Sequence, residues 1–92
     1  MSFLVAEGIP EIRESLCYIL LSLGIKGIPV SSIEQALNAI TRETGIDTAI
    51  IDVENTEVEG MKLINHLRNN NQTKHIKIIV HSKESDKHQG QG

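Results

Sequence analysis

The sequence predicts an α/β fold, a doubly wound parallel sheet. Two observations carry this. Apolar runs of strand length alternate with apolar stripes at helical spacing, giving the order βαβαβαβ. The run Asp47-Thr48-Ala49-Ile50-Ile51-Asp52 is apolar at both parities, so it is covered on both faces, the habit of parallel strands flanked by helices. Right-handed crossovers then place the ends of the first and third strands beside one crevice. An acid ends the third strand there, and Asp52 becomes the residue to explain.

Each element has its own signature. Phe3-Leu4-Val5-Ala6 is a short buried strand that breaks at Glu7-Gly8. Pro10 suits a first helical turn. Ile12, Leu16, Ile19, Leu20 and Leu23 then recur at helical spacing, with Glu11 and Glu14 near the start, favourable for the helix dipole. Gly24 stops that helix. Ile25 to Val30 is a second strand, and Pro29, lacking a donor, makes it an edge. Ser31 or Ser32 caps the next helix, with Glu34 or Gln35 completing a capping box. Its stripe is Ile33, Ala36, Leu37 and Ile40, and Gly45 marks its end. After the Asp52 strand comes an acidic loop to Gly60. Met61, Leu63, Ile64 and Leu67 mark a third helix that runs out at Asn69-Asn70-Asn71. Ile76, Ile78, Ile79 and Val80 mark a fourth strand, closed by His81-Ser82. Residues 83–92 are polar and aperiodic, a disordered tail after a domain of residues 1–82.

Composition narrows the function. The chain has 92 residues and a formal net charge of −3, which points away from nucleic acid. Phe3 and Tyr18 are its two aromatics, so platforms for base stacking are missing. No apolar run approaches the roughly 18 residues that span a bilayer, and no secretory signal opens the chain. A cytoplasmic protein without membrane partners is the expectation. Cys17, the single cysteine, falls in a helical apolar pattern and reads as a buried, inert thiol. His66, His75, His81 and His88 show no metal-ligand helical spacing, and His66 reads as exposed. His81, at a strand end near the crevice, is the one histidine worth testing as a ligand. No nucleotide-binding glycine loop and no triad motif is present, so no enzyme is expected.

Three segments together resemble the receiver domain of bacterial two-component response regulators. Phe3 to Arg13 looks like that family's opening strand, acidic turn and Pro-Glu-Ile-Arg helix start. Asp52 to Gly60 has the spacing of the phosphoacceptor aspartate, its loop and its glycine. Ile78-Ile79-Val80-His81-Ser82 looks like the fourth strand ending on a Ser/Thr. The resemblance implies the flavodoxin-like, CheY-like fold, here four strands in order 2-1-3-4 with three helices. It implies a phosphorelay in which a sensor histidine kinase or phosphotransfer protein donates to an aspartate. It also implies Mg2+, held by the acceptor, by acids after the first strand and by a backbone carbonyl. Carried over, Asp52 is the phosphoacceptor and, with Glu7 and the Glu54 backbone carbonyl, a metal ligand, and Ser82 contacts the phosphoryl group. Positioning and electrostatic stabilisation are what phosphoryl transfer requires.

The sequence departs from the family's pattern at several points. The second acidic position is Gly8, which supplies no carboxylate, and the common loop proline is Thr56. The family continues past the fourth strand with two more helices and a fifth strand, which carries a lysine and a switch aromatic. Here Ser82 is followed by ten residues, so a C-terminally truncated domain with an incomplete active site is expected. Lys83 adjoins Ser82, but neighbouring strand residues point to opposite faces. Glu57 and Glu59 read as solvated loop charges. An uncovered fourth strand rich in isoleucine is an association site. Leaving a few hundred Å² of apolar surface wet forfeits several kcal/mol at about 25 cal/mol per Å². A homo-oligomer through that strand is therefore expected. The alternative to phosphorelay signalling is a phosphorylation-independent dimerisation or docking module, a pseudo-receiver.

Overall fold

The computed structural model describes residues 1–55 and 58–82. The expectations for Thr56, Glu57, Lys83, His88 and the disordered tail over 83–92 lie outside the described residues.

The chain runs β1 (Ser2–Ala6), α1 (Pro10–Ser22), β2 (Lys26–Val30), α2 (Ile33–Arg42), β3 (Ile46–Asp52), α3 (Gly60–Arg68) and β4 (Lys77–His81). The strands form one all-parallel sheet in the order β2-β1-β3-β4. This is the doubly wound order the sequence predicts. β1 and β3 are central, and their side chains are mostly buried, including Leu4, Val5, Ala6, Ala49 and Ile51. β2 is an edge, as Pro29 requires.

Local chemistry fixes the boundaries. Pro10 opens α1, and Gly24, at φ 79°, turns the chain away from it in the left-handed region open to glycine. Ser32 caps α2 by accepting from the Gln35 N–H at 3.1 Å, while the Gln35 side chain accepts from the Ser31 N–H at 2.9 Å. The capping box thus spans both serines. A register shift beside Asp47 lets Ile46 and Ala49 reach the same core.

α2 and α3 bury Ala36, Ala39, Leu63 and Leu67 against Leu4, Ala6, Ile28, Val30 and Ile51. α1 lies over β2 and β1, where Val5 and Leu20 are buried outside that cluster. Of the predicted α1 stripe, Leu20 alone is buried; Ile19 and Leu23 are exposed. The reason is geometric: α1 stands over the β2 side of the sheet, and its remaining apolar flank, Tyr18, Ile19, Leu21 and Leu23, is exposed. Cys17 is half-buried against Gly27 rather than fully enclosed, and burial still pushes its thiol up, away from the reactive thiolate.

Candidate functional site

Three strand ends converge on one spot. Asp52 is the last residue of β3 and is 4% exposed. Its register partner is His81, the last residue of β4. Glu7 follows β1 directly, and its N–H donates to the Val30 carbonyl at 3.2 Å, extending the ladder by one residue. The sheet order sets β3 between β1 and β4, so Glu7 and His81 flank Asp52.

Backbone groups then aim the carboxylates. Glu7 Oε2 accepts from the Ile9 N–H at 3.1 Å, and Arg13 Nη1 donates to the Glu7 carbonyl at 2.8 Å. The Pro-Glu-Ile-Arg helix start therefore clamps the turn that carries Glu7. Asp52 Oδ1 accepts from the Glu54 N–H at 2.9 Å, an Asx turn that fixes its carboxylate. The Ser82 hydroxyl donates to Glu54 Oε2 at 2.7 Å. His81 Nδ1 lies 3.2 Å from Glu7 Oε1, and neither atom has a hydrogen-bond partner among the described residues.

The electrostatics follow from burial. The Glu7 carboxyl is raised above the usual carboxylate range. Desolvation is the largest cause, and the adjoining Asp52 adds to it through hydrogen bonding and like charge. The Ile9 N–H and His81 pull the other way. Two adjoining buried carboxyls concentrate negative charge that His81 offsets only in part, an environment a divalent cation relieves.

The residues expected from the sequence are divided by this geometry. Glu7 and Asp52 come together; Glu7 is buried, not a solvated turn acid. Glu54 touches Asp52 through its N–H and Ser82 through its carboxylate. Gly8 is not an empty place for a second acid: a Cβ there would run into the Asn55 side chain. His81, the one histidine the sequence places near the crevice, joins Glu7 and Asp52 although no ligand role was expected of it. Glu7, Asp52 and His81 offer ligand atoms within 4.8 Å of one another. The signal for it was the strand register, which pairs His81 with Asp52 and leaves Ser82 beyond the ladder. The implied Mg2+ is met by two carboxylates, one with an orphaned buried oxygen, so the donors fit a divalent cation.

No protein-family model and no curated protein matches the chain. Solved structures do. A sensor protein from Polaromonas sp. JS666 superposes with a TM-score of 0.84 at 25% identity, covering 99% of this chain and 72% of that one. A response regulator receiver protein from Pseudomonas putida gives a TM-score of 0.81 at 25% identity, covering 99% and 78%. A CheY-like response regulator receiver domain from Methylobacillus flagellatus gives 0.78 at 26% identity, covering 94% and 73%. The resemblance read in the sequence therefore holds. The chain has the receiver-domain architecture, and these likenesses support a place in two-component signalling. No helix among the described residues is long and apolar enough to cross a membrane.

Proposed function

We propose that the chain is a receiver module of two-component signalling in which Asp52 accepts a phosphoryl group from a histidine kinase or phosphotransfer protein. The observation that carries this is the placement of Asp52: a buried carboxylate at the carboxyl end of a central strand, oriented by the Glu54 N–H and flanked by Glu7. An Asp52 oxygen attacks the phosphorus of a phosphohistidine, the P–N bond breaks, and the imidazole leaves with its electron pair. The Glu54 N–H holds the other oxygen, so the nucleophile enters without a search for orientation. Mg2+, when bound by Glu7, Asp52 and the Glu54 backbone carbonyl, supplies charge neutralisation at the phosphoryl oxygens. Ser82 reaches that group only by releasing Glu54, so its phosphoryl contact requires a rearrangement. The module works as a cytoplasmic signalling element rather than as an enzyme with its own turnover. Acetyl phosphate with Mg2+ tests the reading: intact mass rises by one phosphoryl group in the parent and not in Asp52→Asn. No gain in the parent overturns it.

A second reading is favoured by one feature. Ile79 is 48% and Val80 55% exposed on β4, the edge strand of the described sheet. Exposed apolar edges pair with other strands, so we also propose homo-association or protein docking through β4, independent of phosphate. A sedimentation dilution series shows concentration-dependent mass on this reading, and a monomer at every concentration refutes it. The same experiment on Asp52→Ala gives the same association if docking is independent of phosphorylation.

A further inference from the structure

The three strand ends hold a nitrogen donor where an all-oxygen magnesium site has none. His81 sits at the end of β4 with Nδ1 directed at Glu7 Oε1, 3.2 Å away. Both atoms are buried and neither makes a hydrogen bond among the described residues; the Glu7 side chain is 1% exposed and that of His81 34%. The two atoms stand at ion-pair distance without making a hydrogen bond, so the contact offsets only part of their desolvation cost. A cation between them meets both at once. Ligands held at the usual 2.0–2.2 Å from one zinc ion lie about 3.4 Å apart at a tetrahedral angle and about 3.0 Å at a right angle. The observed separation falls between these, and the Asp52 carboxylate supplies the third donor within 4.8 Å.

The donor set selects the ion. Mg2+ takes oxygen ligands and gives up its water reluctantly, whereas imidazole favours Zn2+ and its divalent d-block neighbours. We propose that Glu7, Asp52 and His81 form a site for a borderline divalent cation of the zinc class, bound in preference to Mg2+. This rests on the reading of Glu7 and Asp52 as the metal-binding pair of the receiver site, and it changes which metal that pair takes.

The test uses the full chain, stripped with a chelator, and titrates ZnCl2 and MgCl2 by calorimetry. The expected result is one zinc per chain, bound at least about 100-fold more tightly than magnesium. His81→Leu lowers zinc affinity by more than about 100-fold, beyond the loss of an outer-shell partner. The triple variant His66→Asn, His75→Asn, His88→Asn leaves it unchanged. In the parent, zinc shifts the His81 ring nitrogen resonances, a readout that does not depend on how the His81 variant folds. Equal zinc affinity in His81→Leu, tighter binding of magnesium, or unmoved His81 ring resonances at saturating zinc each overturns the proposal. Acetyl phosphate labelling in Mg2+ alone is scored separately. Labelling without zinc binding sinks only this proposal, and zinc binding without labelling sinks only the phosphoacceptor reading.

Discussion

Glu7 Oε1 and His81 Nδ1 meet at 3.2 Å across the end of β3, although their strands are not neighbours. β1 and β4 each pair with β3, so they stand two strand spacings apart, about 10 Å. Only side chains reaching inward over Asp52 close that gap. The site is thus built from three separate crossovers, and Asp52 lies beneath the other two groups. This relationship sets what changes at Glu7 and its neighbours should do.

Glu7→Gln is expected to stabilise the metal-free protein at neutral pH. The folded-state pKa of Glu7 is raised, chiefly by burial. Its contribution is therefore present in full below the ordinary carboxylate range and is lost as pH rises through the raised value. Parent stability falls across the window starting at about pH 4, and Gln, carrying no charge to bury, removes that fall. Thermal melts from acid to neutral pH in chelator measure it. A parent curve no steeper than that of Glu7→Gln contradicts the assignment.

Gly60→Ala is expected to cost about 1–3 kcal/mol or more. A Cβ there would press on the Asp52 carbonyl and come within 2.9 Å of the Val53 Cα. These are backbone atoms and cannot rotate aside. The glycine lets the start of α3 close onto the end of β3, so its loss should also shift the Asp52 amide resonance. Urea unfolding with amide spectra checks both effects.

Gly8→Asp tests the missing second acid. The new side chain would displace the far end of Asn55, so the single change is expected to cost less than Gly60→Ala, about 1 kcal/mol. Here the obstacle is a side chain, and Asn55→Ala in the same chain should recover part of the loss. A double-mutant cycle in urea gives the coupling. Additive effects would show that Asn55 does not fill the acid's place.

The architecture was legible because each apolar run had one sensible period. Asp52 and Glu7 were legible as strand-end acids for the same reason. Directions of side chains past a strand's end were not. The alternation rule governs residues inside a ladder, and Ser82 lies beyond it, where its hydroxyl turns to Glu54. His81, still in register with Asp52, points into the site. Periodicity in α1 reports an apolar face and not what covers it: Ile19 and Leu23 of the stripe are 54% and 69% exposed. Thr73 was missed altogether. It is buried because its hydroxyl donates to the Leu67 carbonyl at 2.9 Å, closing the end of α3 across a turn that no local motif announces.

We propose Asp52 as a phosphoacceptor oriented by its neighbours. Beryllofluoride, which mimics an acyl phosphate on a carboxylate, tests it most directly when added with Mg2+ to isotope-labelled protein. Shifts are expected at the amides of Glu7, Asp52, Glu54, His81 and Ser82 and are absent in Asp52→Asn. Spectra of the parent unchanged at saturating beryllofluoride would contradict it.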